Sequence, residues 1–181
     1  MSILTDKGNS YREAHFRLEE YFHGDCYAFG LFENYNRRIT RHFNLTTSGK
    51  WDGKLLNLSE SVIFNDGTMD HRVWNIEKDN DGRYTGQANG IIGLARGKMK
   101  QQAFHWRYRL VLPFKNFRFA ADFDDWMWCK DRTTVINRAT ISKFGVTIGR
   151  TWLFFQRGKP DPGFLQSITA NPNKVLDKTK I

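Results

Sequence analysis

Three carboxylates, Asp122, Asp124 and Asp125, stand inside a run of large apolar side chains from Phe117 to Trp128. Read as a strand, the run places Phe117, Phe119, Ala121, Phe123, Asp125 and Met127 on one face, and Arg118, Ala120, Asp122, Asp124, Trp126 and Trp128 on the other. Adjacent Asp124 and Asp125 then point to opposite faces and cannot act as a paired acid and base. Asp122 and Asp124 share a face about 7 Å apart, two strand rises, within the range of carboxylate pairs in hydrolases. A solvated or arginine-paired face explains those two at least as well. Asp125 is the sharper case. Buried without a partner, a carboxylate costs several kcal/mol or takes up a proton. A two-residue turn at Lys130-Asp131 sets Asp125 opposite Ile136 and Arg138 on the diagonal, within guanidinium reach. We therefore expect an inward Asp125–Arg138 pair that either locks the structure or orients the polar head of a ligand. A turn one residue longer puts Asn137 on that face instead.

Other chemistry finds little support. His15, His23, His42, His71 and His105 lack the spacing of a metal site, and a surface position is a simpler reading for each than a haem ligand. No Gly-x-Ser-x-Gly elbow or Cys/His arrangement is present, so no catalytic nucleophile, metal or cofactor is expected. The glycines of residues 90–98 lack the Gly-Lys-Ser/Thr ending of a phosphate loop. They suit the sharp bend of a barrel corner better.

The elements that must position Asp125 are strands. Between Cys26 and Arg157 about ten short strands follow one another, separated by turn signals at near-regular intervals. Tyr27, Phe29 and Leu31 alternate with Ala28, Gly30 and Phe32; Leu56, Leu58, Val62 and Phe64 share a face with Glu60 among them. Arg72, Trp74 and Ile76 lie on one face, and Phe104, Trp106, Tyr108, Leu110 and Leu112 alternate with His105, Arg107, Arg109 and Val111. Asn65-Asp66-Gly67 and Asp79-Asn80-Asp81-Gly82 are tight-turn signals. An even train of antiparallel strands closes into a barrel. The expected fold is therefore all-β, an antiparallel up-and-down β-barrel over 26–157. Residues 1–25 form an N-terminal arm, with either a short helix stopped by Gly24 or no regular structure, and 158–181 an extended C-terminal tail.

With 181 residues, 40% of them hydrophobic and 15% aromatic, the chain is long enough for one domain with a sizeable core. The net charge of +9 is scattered, without a dense Lys/Arg run, so nucleic acid is not expected as a partner. Peripheral contact with an anionic membrane surface is a further reading of that charge. Cys26 and Cys129 are too few for a disulfide scaffold, and free thiols are the simpler reading. Met1–Asp6 carries no apolar run and no segment approaches the roughly 18 apolar residues of a membrane span, so a cytoplasmic location is expected.

Several stretches resemble the uncharacterised bacterial DUF3833 family. They are Tyr21-Phe22-His23-Gly24, Gly49-Lys50-Trp51-Asp52-Gly53, Asp66-Gly67 with Arg72-Val73-Trp74, Arg83-Tyr84-Thr85-Gly86 and Trp106-Arg107-Tyr108. Asp124-Asp125-Trp126-Met127, Asn137-Arg138-Ala139 and Ser142-Lys143-Phe144-Gly145 complete the match, in order from about residue 18 to 157. The resemblance implies a calycin-like (lipocalin-type) barrel. It carries no activity, and it makes the cell envelope the alternative location, because members often look like lipoproteins.

These readings converge on a non-enzymatic module that binds or carries a hydrophobic, fatty-acyl or lipid-like ligand. Trp74, Trp106, Tyr108 and Phe123 would line the cavity, while Arg72, Asp125, Arg138 and Lys143 would meet a polar head. The alternatives are an enzyme using an inward carboxylate as base on a lipid-like substrate, and a packed structural or partner-binding barrel without ligand.

Overall fold

Ten strands and one short helix make up the computed structural model, which describes residues 16–114, 117–160 and 162–163. Helix α1 (Leu18–Tyr21) precedes β1 (Gly24–Asn34), β2 (Ile39–Trp51), β3 (Leu55–Phe64), β4 (Met69–Lys78) and β5 (Arg83–Gln87). Strands β6 (Ala95–Lys100), β7 (Ala103–Phe114), β8 (Phe117–Cys129), β9 (Thr134–Lys143) and β10 (Val146–Arg157) follow. Each strand pairs antiparallel with its neighbours in sequence, and β10 pairs with β1 to close the barrel. Closure leaves neither edge of the train exposed, as the regular strand spacing predicts. Most of the N-terminal arm and of the tail lies outside the described residues. The helix ends at Tyr21 with Phe22 as its C-cap, and Gly24, at a φ of +94° that favours glycine, is the first residue of β1.

Because the strands alternate up and down, four connections (β2–β3, β4–β5, β6–β7 and β8–β9) share the end that α1 covers. The other five lie at the far end. At the near end Phe16, Leu18, Tyr21 and Phe22 are buried against the barrel core. The buried Glu19 pins the helix: its carboxylate accepts hydrogen bonds from Lys78 Nζ and from the Tyr84 hydroxyl, both at 2.6 Å. Toward the far end a second cluster gathers Leu110, Ala121, Phe123, Ala139 and Ile141, with Phe32, Phe119 and Ile148 packed on it.

Two local features shape the interior. Gly97 of β6 stands where an added Cβ would lie 2.3 Å from Trp106 and 2.6 Å from Phe104, so its bare backbone makes room for both rings. Strand β5 is short, and on its β4 side it reaches only Asn75–Lys78. The stretch Met69–Trp74 therefore has ladder partners on β3 alone, and residues 88–94 run beside β7, tied by an Ile91–Leu110 bridge. Beside Met69–Trp74 the wall between β4 and β7 is therefore built from residues 88–94 rather than from a paired strand.

The hairpin from β8 to β9 corrects one expectation. Asp131 accepts hydrogen bonds from the Thr133 and Thr134 backbone N–H groups, at 2.9 and 2.8 Å, and builds a longer loop than the two-residue turn. Asp125 consequently pairs with Ala139, not Ile136. An odd slip of register moves a strand's side chains to the opposite face. Val135, Asn137, Ala139 and Ile141 are the buried inward set, and Arg138 points outward.

Candidate functional site

A cavity of about 80 Å³ lies inside the barrel. Leu18 and Phe22 floor it, Trp74, Trp106 and Tyr108 wall it, and Glu60, Arg72 and Asp125 bring charge into it. Each polar group comes from a strand whose alternation turns it inward: Glu60 from β3, Arg72 from β4, Tyr108 from β7 and Asp125 from β8. Register brings them together, since Glu60 lies opposite Arg72 and Asp125 opposite Trp106. The rings interlock. Trp74 meets Trp106 and Tyr108 edge-on at centroid distances of 5.9 and 5.4 Å, and Tyr108 stacks on Phe123 at 4.8 Å.

The electrostatics are those of carboxylates short of donors. Trp74 Nε1 donates to Glu60 at 3.0 Å. Burial nevertheless holds Glu60 above the ordinary carboxylate range, with the Arg72 charge opposing it. Arg72 also binds Asp70 at 3.0 Å, at the half-open edge of the site. Asp125 is 5% exposed and takes a hydrogen bond from Tyr108. Its Oδ1 has no hydrogen-bond partner among the described residues. Burial pushes its pKa from 3.8 up to about 7; the Tyr108 bond works against that, and the charges of Asp124 and Glu60 add to it. Tyr108 is pushed well above the usual phenol value, by burial first and then by Asp125.

The structure thus gathers Arg72, Trp74, Trp106, Tyr108 and Asp125 around one cavity. Phe123 supports the wall from behind Tyr108. Lys143 stands near the far end, its Nζ 4.4 Å from the Phe119 ring centroid. The expected Asp125–Arg138 pair does not form. Arg138 lies over the Trp128 and Trp152 rings on the outer face, 5.6 and 5.8 Å from their centroids. Glu60 is the site residue that sequence reasoning passed over, although it interrupts an apolar row just as Asp125 does. The outward carboxylates are paired: Asp122 with Arg109, and Asp124 with His105, Arg107 and Trp126. Neither Cys26 nor Cys129 is in a disulfide.

A closed ten-stranded meander with a short helix across one end and a polar-tipped cavity within is a calycin-like, lipocalin-type barrel. The chain belongs to the family of proteins of unknown function DUF3833, whose model matches residues 4–157. Its fold is similar to that of the S-type phycobiliprotein lyase CPES from Guillardia theta, with a TM-score of 0.59 and 12% identity over 85% of this chain and 99% of that one. No curated protein sequence matches it.

Proposed function

We propose that the barrel binds a small, largely apolar molecule through a hydrogen-bond-donating or cationic group, and does so without catalysis. The observation that carries this reading is Asp125 Oδ1, buried at the cavity and left without a partner among the described residues. Two inward carboxylates face one arginine that Asp70 already engages, so the site lacks donors rather than acceptors. A ligand N–H or ammonium group answers that lack, and the Trp74, Trp106 and Tyr108 rings suit an apolar or cationic body beside it. A free fatty acid answers it poorly, because its carboxylate would meet two more. An acyl chain also needs more room than about 80 Å³, since pockets for such ligands run to roughly 300–1,000 Å³. Only rearranged rings would admit one.

The test is a titration of intrinsic tryptophan fluorescence with matched pairs of amphipathic amines and carboxylic acids, alongside mass spectrometry of what co-extracts with natively purified protein. Amines are expected to bind at least tenfold more tightly than the matched acids, with the preference lost in Asp125→Asn/Glu60→Gln, since a charged hydrogen bond contributes about 1.5–3 kcal/mol. Equal response to both series, or none and nothing co-extracted, refutes the reading.

The likeness to a phycobiliprotein lyase favours a second reading, together with the pKa of about 7 at Asp125. A carboxyl poised near neutrality beside a phenol has the make-up of a general base. Turnover of a bound ligand that follows the ionisation of Asp125 would move the assignment there.

A further inference from the structure

The six most exposed large apolar side chains among the described residues all sit at one end of the barrel. They are Phe144, Met69, Tyr35, Val146, Phe117 and Ile39, from 86% exposed at Phe144 to 51% at Ile39. All flank connections at the end opposite α1: β1–β2, β3–β4, β7–β8 and β9–β10. The near-end connections are built instead from Asp52-Gly53-Lys54, Asp79-Asn80-Asp81-Gly82, Gln101-Gln102 and Lys130-Asp131-Arg132. Both ends are equally turns, so turn formation does not explain the difference. Apolar residues at solvated tips cost solubility, and a cluster of them marks a surface that is covered in use.

Charge says what covers it. The far-end carboxylates Glu33, Asp66 and Asp70 are matched by Arg150, Arg41 and Arg72. Arg37, Arg38, Arg118 and Lys143 are left over, with no ion pair among the described residues. The rim is therefore apolar at its projecting points and cationic between them. A separate ring of tips, each on a different hairpin, cannot form the continuous dry core of a protein–protein interface as readily as it can dip into a fluid layer. Aromatic and aliphatic tips with interleaved arginines match the boundary of an anionic bilayer, where rings settle at headgroup depth and cations meet phosphates.

We propose that this far rim is a docking surface for an anionic lipid bilayer. The barrel would stand on the membrane with α1 pointing away and its strands rising from the lipid surface.

Vesicle co-sedimentation of the full chain tests it, using phosphatidylcholine alone and with about 30% phosphatidylglycerol. Binding is expected to the mixed vesicles, weaker by at least tenfold to phosphatidylcholine alone, and reduced by added salt. Arg37→Gln/Arg38→Gln removes two cations and is expected to weaken binding about thirtyfold. Phe144→Ser/Val146→Ser removes the apolar points and is expected to abolish measurable pelleting, with an unchanged near-UV spectrum attesting the fold. No pelleting with mixed vesicles overturns the proposal, as does pelleting that neither pair alters. A wild-type dimer in solution that Phe144→Ser/Val146→Ser converts to monomer assigns the rim to a second copy, and also overturns it.

Discussion

Replacing Asp125 by asparagine is expected to flatten the pH dependence of folding stability between pH 5 and pH 8 by about 2–3 kcal/mol. The carboxyl titrates near 3.8 when unfolded and at about 7 in the barrel, chiefly through burial. Between those values the folded chain keeps a proton that the unfolded chain has released. Stability therefore falls as pH rises through the window and levels off above it. The whole interval corresponds to about 4 kcal/mol, of which roughly 2–3 lies between pH 5 and pH 8. Glu60 is also held above its ordinary value and slopes the same way in both proteins, so the difference between them reports Asp125 together with its coupling to Glu60. Asparagine keeps the shape and carries no charge, so above pH 7 the variant is expected to be the more stable of the two. Urea denaturation followed by tryptophan emission at pH 5, 6, 7 and 8 measures the difference. Parallel stability curves for the two proteins would mean that Asp125 is solvated or paired, and would refute the account of the cavity.

Two further expectations test how the barrel is held. Glu19→Gln weakens the acceptor that holds Lys78 and the Tyr84 hydroxyl, at an expected cost of about 1–3 kcal/mol near pH 7. Burial pushes Glu19 up, but these two hydrogen bonds bring it below its ordinary 4.5. Its contribution is therefore present above that value and lost as pH falls, so thermal melts of the two proteins are expected to converge toward pH 3. Gly97→Ala forces a methyl to 2.3 Å from Trp106 and is expected to cost about 1–3 kcal/mol in urea denaturation. An unchanged midpoint would show that the rings shift freely.

Strand order was legible because alternation is local: Leu56, Leu58, Glu60, Val62 and Phe64 declare one face without reference to any partner. Facing residues on neighbouring strands are a different matter, because register depends on the turn between them. Lys130-Asp131 reads locally as a tight turn, whereas Asp131 uses its carboxylate to organise Thr133 and Thr134 into a longer one. That single side chain sends Arg138 outside and brings Asn137 in, where its Nδ2 donates to the Trp126 carbonyl at 3.3 Å. Glu60 was visible in its apolar row, but nothing local told that β3 and β8 face each other across the cavity. Such cross-barrel neighbours follow from closure, which no strand records by itself.

Asp124 and Asp125 supply an internal comparison of what a carboxylate does when it only serves the fold. They are adjacent, on one strand, and turned to opposite faces. Burial also pushes Asp124 up, but hydrogen bonds from His105 at 3.0 Å and Trp126 at 2.7 Å bring it below its ordinary value. Asp125 has one phenol, a like-charged neighbour in Glu60 and an oxygen with nothing to accept. An apolar residue of similar size would pack there at no desolvation cost, so the fold alone gives no reason to keep it. Local choices that contradict an otherwise consistent sequence collect where a protein does its work. Asp125 sits beside the cavity, whose lining includes Arg72 and Trp74 from the stretch of β4 that β5 leaves unpaired. On the proposed reading, the unsatisfied oxygen is half of a contact whose other half arrives from outside.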